Sequence, residues 1–278
     1  AESGLGSGVC DSLATAIYSG TNDIQRGRIA AMLGVGSKSK DKPLRNSSSR
    51  VSSSDHKESC MGHSHGSSPI FDYLHPTVQG SAYRIIGETH SEREKAIKIY
   101  YGVRDSIFYE VFGTDISANG LAASAIIKSG RGFCLHKAIL FVAGCRAAGL
   151  AAHLMADKVE NHASSNELNT LVGGHTFLHW FAEVKVDNVW LKVSPTFNKH
   201  MCQLFGMRPL EFDGRSDAIN QHYDGGLFMK YIGQPMIFTD PTHEQLLAHI
   251  KDSHPRMITA DCVVPKKSQM RSLEQAYG

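Results

Sequence analysis

The fold of this chain is decided by residues 130–149, which read GRGFCLHKAILFVAGCRAAG. The long apolar run predicts a helix over 134–148, and Gly149 is a typical residue to end it. Cys134 stands at the head of this helix, where the helix dipole favours the thiolate over the thiol. Cys145 follows about 16 Å further along the axis, too far for a disulfide with Cys134. We interpret Cys145 as a buried packing residue.

A histidine follows on a predicted strand. Strands are expected over 176–186 and 189–194, joined by Asp187-Asn188, a pair that favours a tight turn. His179 lies on the first of these strands. An imidazole close to Cys134 can accept the thiol proton and complete the activation of a nucleophile.

The expected register of this hairpin brings hydroxyl groups near the imidazole. Pairing Val186 with Val189 places His179 opposite Thr196 and diagonal to Ser194. A hydroxyl at either position could hold the ring. His175, four residues earlier, is a rival base.

The remaining pattern predicts helices first and an antiparallel meander after them. Helices are expected over 91–112 and 118–128, a strand over Ala151–Val159, and a polar loop over 160–174. Trp180 and Trp190 are interpreted as core residues. This order is typical of an α+β fold.

The domain organisation follows changes in composition. Residues 1–36 predict an N-terminal helical segment, and residues 37–68 a flexible Ser/His-rich linker or insertion that lacks enough apolar residues to pack. A folded domain is expected over 69–255 and a C-terminal tail over 256–278. The linker contains Cys60, His63 and His65, which we interpret as incidental, because no fourth ligand is spaced for a metal.

Composition excludes several classes of function. The 278 residues carry a formal net charge of +2 with 20% charged residues and no basic block, so nucleic acid is not an expected partner. No apolar run reaches the roughly 18 residues of a membrane span, and we expect no membrane association. The six cysteines form no dense framework and no CxxC pair, which favours a reducing, cytoplasmic setting.

These motifs together resemble the transglutaminase-like superfamily. The nucleophile helix is carried by Gly132-Phe133-Cys134, Lys137-Ala138 and residues 146–150; the histidine and aspartate strands by His179, Glu183-Val184 and residues 190–196 (WLKVSPT). Residues 101–109 (YGVRDSIFY), 210–218 (LEFDGRSDA) and 229–231 extend the likeness, which covers about 90–250. The resemblance makes 69–255 a transglutaminase-like domain and implies a papain-like transglutaminase core, with N-terminal helices packed on an antiparallel sheet.

The resemblance also implies a papain-like site: Cys134 as thiolate, His179 as base, and a third residue that orients the histidine. The family pattern has Asp before Pro at that third place, and here Ser194 precedes Pro195. A hydroxyl can orient imidazole but cannot stabilise imidazolium as a carboxylate does. Asn198 and Asp213 are the alternatives. His136, half a turn from Cys134, is expected at the surface.

The expected function is cysteine-dependent acyl transfer, or hydrolysis of an amide or ester, through a thioester on Cys134. The substrate would be a peptide or a small amide or ester, with no cofactor and no metal. Without the surrounding motif, Cys134 would read as a small buried core thiol. The alternative function is a catalytically silent transglutaminase-like binding or assembly module that lost the carboxylate.

Overall fold

The computed structural model describes residues 69–161, 164–204, 206–220, 222–223, 226–227 and 229–269. The segments expected over 1–36 and 37–68, with Cys60, His63 and His65, lie outside the described residues.

The described residues form seven α-helices and nine strands. The helices are α1 (Pro76–Ile86), α2 (Glu92–Ser106), α3 (Ala123–Ser129), α4 (Cys134–Ala147), α5 (Asn166–Val172), α6 (Lys199–Leu204) and α7 (His243–Ser253). The strands are β1 (Phe108–Tyr109), β2 (Arg131–Gly132), β3 (Ala152–Asn161), β4 (Thr176–Val186), β5 (Val189–Val193), β6 (His222–Tyr223), β7 (Gly226–Leu227), β8 (Met229–Tyr231) and β9 (Met236–Phe238). Two 3₁₀ turns, Pro255–Met257 and Lys267–Gln269, follow the last helix.

The main sheet is antiparallel and has the order β5-β4-β3-β8, with β9 also paired to β3. Helix α4 packs on β3 and β4 on one side and against α1, α2 and α3 on the other. Every residue of α4 from Cys134 to Arg146 is buried. The expected α+β class, with helices packed on an antiparallel sheet, is confirmed.

The predicted hairpin is confirmed in place and in register as far as Ala182 and Val193, but the expected pairing of His179 with Thr196 lies beyond the end of the ladder. Val186 pairs with Val189, and the ladder runs back to Ala182 and Val193. Asp187 and Asn188 have φ of 49° and 68°, the left-handed values that a two-residue turn between twisted strands requires. Trp180 is buried as expected, but Trp190 is 40% exposed and stacks on His153, so its assignment to the core was wrong.

Two helix predictions were too long. The helix expected over 91–112 ends at Ser106, because Phe108–Tyr109 forms β1, which pairs in parallel with β2 just before Cys134. The helix expected over 118–128 starts only at Ala123. In both cases pairing or turn structure takes over residues whose apolar pattern also suits a helix.

Two loop predictions also change. The polar loop expected over 160–174 contains α5, whose start is capped by Ser165 and whose end is Gly173 at φ 85°. The tail expected from residue 256 is packed on the domain where it is described. Val264 is fully buried and exchanges two backbone hydrogen bonds, with Gly113 and Thr114. The domain therefore extends past residue 255.

Across the described ranges, no helix combines the length and the apolar character that a membrane span needs.

Candidate active site

The site lies where strand β4 is no longer paired with strand β5. The β4–β5 ladder ends at Ala182 and Val193, whereas β4 stays paired with β3 back to Thr176. Two backbone N–H groups on this stretch find other acceptors: Leu178 donates to Nε2 of His254 at 2.8 Å, and Trp180 donates to the sulfur of Cys134. The strand edge thus anchors the thiol.

Cys134 is the first residue of α4 and is 8% exposed. Burial raises the pKa of the Cys134 thiol to about 11, and hydrogen bonds from the N–H groups of Trp180, Leu135 and Cys134 itself act against that rise. The helix N-terminus carries no side-chain cap. Its first amides are therefore directed at the sulfur rather than at a capping group.

A buried lysine fixes the start of α4. Lys137, one turn after Cys134, donates through Nζ to the carbonyls of Arg104 and Ile107 at 2.8 and 2.7 Å. These carbonyls end α2, where a cation is favoured by the helix dipole. Burial lowers the pKa of Lys137 to about 7. This contact holds the nucleophile helix against α2.

His179 is 4% exposed and is held by a chain of hydroxyls. Its Nε2 lies 3.0 Å from Oγ of Ser194, which lies 3.0 Å from Oγ1 of Thr196. The expected contact between the imidazole and Ser194 is confirmed, while the catalytic role of Ser194 stays a prediction. Burial lowers the pKa of His179 to about 4, so the ring is neutral at pH 7.

The backbone of Ser194 is held from the segment 210–218. Ser194 donates its N–H to the carbonyl of Ala218 at 2.8 Å, and the hydroxyl of Tyr100 donates to the carbonyls of Leu210, at 2.8 Å, and Ser194, at 3.4 Å. The segment that extends the family likeness therefore fixes the residue that holds His179.

The alternative orienting residues lie elsewhere. Asn198 donates to the same carbonyls of Arg104 and Ile107 as Lys137 does. Asp213 is exposed and accepts the N–H groups of Arg215 and Ser216 in a local turn.

The structure also gives the positions of His175 and His136. His175 is exposed and does not line the pocket at Cys134. His136 is buried, with Nε2 bonded to the carbonyl of Asp115 and Nδ1 unpartnered, so its expected surface position was wrong.

Sequence reasoning missed two residues beside the imidazole. Asp157 on β3 is directly opposite His179 in the ladder and is buried. Tyr231 on β8 lies edge-on to the ring of His179, with centroids 6.2 Å apart. Burial, with Asp157 and Cys134 nearby, raises the pKa of Tyr231. The sequence around Asp157 or Tyr231 does not indicate a place in the site, because each residue reaches the site through strand pairing across the sheet.

Cys134 and His179 line one pocket. Burial raises the pKa of the Cys134 thiol and lowers that of the His179 imidazole, which favours a neutral thiol and a neutral imidazole over an ion pair. Among the described residues, no group of three or more His, Cys, Asp or Glu side chains could hold a metal ion.

The comparison with protein families agrees with this geometry. Residues 79–195 match the model of the transglutaminase-like superfamily, a segment that runs from α1 through α4 to Ser194. The resemblance to the transglutaminase-like superfamily is confirmed. This match of residues 79–195 supports a cysteine-dependent enzyme in general.

Two solved structures are similar to parts of this chain. A proposed protease from Parabacteroides distasonis is 13% identical with a TM-score of 0.32, covering 45% of this chain and 26% of that one. A proposed cysteine protease from Cytophaga hutchinsonii is 16% identical with a TM-score of 0.35, covering 60% of this chain and 52% of that one. This chain thus spans about a quarter and about half of those two chains. No curated protein matches.

Proposed function

We propose that the protein is a cysteine-dependent acyltransferase or hydrolase with Cys134 as nucleophile and His179 as base. One observation carries the proposal. The sulfur at the uncapped start of α4 accepts a hydrogen bond from the N–H of Trp180. The residue before Trp180 is His179, whose Nε2 is held by the hydroxyl of Ser194.

The reaction starts from a neutral pair. His179 takes the proton of Cys134 as the sulfur attacks the carbonyl of an amide or ester. A thioester forms, the bond to the leaving group breaks, and the imidazolium returns the proton to that group. Water or an amine then attacks the thioester, which gives an acid or a new amide and restores the thiol. The substrate is a peptide, an amide or an ester.

The helix terminus supplies the stabilisation of the oxyanion. The N–H groups of Cys134 and Leu135 point to the sulfur, beside the place where a carbonyl oxygen would gain negative charge. Because Phe133 provides no side-chain cap, no capping side chain competes with a substrate for these donors.

Acylation by p-nitrophenyl acetate tests the proposal without knowledge of the natural substrate. Release of p-nitrophenolate is followed together with the mass of the peptide that contains Cys134. An acetylated Cys134 is expected, and Cys134→Ala should abolish both signals without change in thermal unfolding. Cys262→Ala is the matched control, because Cys262 is a partly exposed thiol that does not line the pocket. Full activity in Cys134→Ala would contradict the proposal.

A second candidate, a catalytically silent binding or assembly module, is favoured by the replacement of the family carboxylate by Ser194. A hydroxyl gives little stabilisation to an imidazolium. Burial adds to this, since it keeps both Cys134 and His179 in their neutral forms. In that case no acetylated Cys134 forms.

A further inference from the structure

Cys134 and His179 line a pocket that is partly open to solvent. None of the described residues that line it is Asp, Glu, Lys or Arg. Apart from Cys134, His179, Asn161 and His254, the lining is aliphatic or aromatic.

The polar residue His254 at the pocket is already engaged. Its Nε2 accepts the N–H of Leu178, so its Nδ1 carries the proton and donates to the carbonyl of Val172 at 2.9 Å. Burial lowers the pKa of His254, and the acceptance of the Leu178 N–H by Nε2 requires the neutral ring. A charged substrate group would therefore meet no opposite charge on the described wall and would lose its hydration.

We infer that this pocket binds an uncharged apolar group, aliphatic or aromatic, next to the carbonyl that Cys134 attacks. The inference rests on the proposed function and names its substrate class. Apolar contact with the wall removes hydrocarbon surface from water on both sides. Substrates with a carboxylate or an ammonium at this position are rejected.

Equilibrium binding to Cys134→Ala tests the inference apart from catalysis. The two probes are N-benzylacetamide and its charged counterpart 4-(acetamidomethyl)benzoate, compared by titration NMR. The neutral probe should bind at least about tenfold more tightly, which corresponds to 1.4 kcal/mol. Equal or tighter binding of the carboxylate, or no binding of either probe, would overturn the inference.

Placing a charge on the pocket wall tests whether the two probes bind in this pocket. Leu168 lies half-buried on α5 and lines the pocket, so Leu168→Lys should weaken binding of the neutral probe and strengthen that of the carboxylate. Thr170→Lys adds the same charge to the same helix at a half-buried position that does not line the pocket. This control should leave both affinities unchanged. Equal effects of the two variants would overturn the assignment to this pocket.

If Leu168→Lys does not fold, Leu168→Ala is used in its place for the same binding measurement. It removes apolar wall without adding charge, and should weaken the neutral probe several-fold while leaving the carboxylate unchanged. No loss of affinity would overturn the inference. Acetylation of Cys134 by p-nitrophenyl acetate in the wild type separates a failure of this inference from a failure of the proposed function.

Discussion

The two halves of strand β4 are stabilised in different ways. The half near the turn, Ala182–Val186, is paired on both edges, with β3 and with β5. The half at the site, Thr176–Phe181, keeps β3 but has lost β5. There the N–H groups of Leu178 and Trp180 are bonded by His254 and by the sulfur of Cys134. Where the strand edge is released from its ladder, a thiol and an imidazole line the same pocket.

Lowering the pH should produce the largest difference in stability between the two halves of β4. The folded pKa of His179 is about 4, below its ordinary 6.5, so the unfolded chain binds the proton more readily. The stability that His179 contributes is complete above pH 6.5 and is lost as the pH falls toward 4, by about 3 kcal/mol for this group. His254, whose pKa is also lowered, acts in the same direction.

Hydrogen exchange measures this difference residue by residue. Between pH 7 and pH 4.5, the amides of Leu178 and Trp180 should lose protection before those of Val184 and Val186. Simultaneous loss in both halves would show that the site half is no weaker than the turn half.

The next largest effect on stability is expected when the His254 side chain, which supports the site half of β4, is removed. His254→Ala leaves the N–H of Leu178 and the carbonyl of Val172 without partners in a buried place, at a cost of about 2–4 kcal/mol. In the turn half, Asn188→Ala places alanine at φ 68°, which costs about 1 kcal/mol. Urea unfolding of both variants ranks the two halves, and a larger loss for Asn188→Ala would contradict the ranking.

The buried carboxylate opposite His179 gives a smaller effect, on rate rather than on stability. The charge of Asp157 stabilises the imidazolium that forms when His179 takes the thiol proton. Asp157→Asn should slow acetylation of Cys134 by about tenfold, or roughly 1.4 kcal/mol. Glu160→Gln removes a charge from the opposite face of the same strand and is the control. Equal rates in Asp157→Asn and wild type would exclude this role.

The parts that could be predicted from the sequence are those with a local cause. Helix α4 follows from its apolar run and Gly149, and the hairpin from Asp187-Asn188, whose register then brings Ser194 to His179. His254 could not be predicted, because it reaches Leu178 from 76 positions along the chain. Helix α5 did have local signals, Ser165 and Gly173, inside a segment whose polar composition favoured a loop.

His136 and Trp190 were misplaced for a related reason. Side-chain type predicts average burial, whereas the position of each is fixed by its partner. His136 is drawn inside by the carbonyl of Asp115, and Trp190 stays outside on the ring of His153.

The central claim is that Ser194 holds His179 beside Cys134 in a neutral thiol–imidazole pair. The most direct test is the rate of Cys134 alkylation by iodoacetamide against pH in wild type and in Ser194→Asp, with Cys262 as the internal reference. In the wild type the rate should still be rising at pH 9, because the pKa of Cys134 is raised to about 11. In Ser194→Asp a carboxylate beside Nε2 stabilises the imidazolium, and Cys134 should react near neutral pH. Identical profiles, or a wild type already reactive at pH 6, would contradict the account.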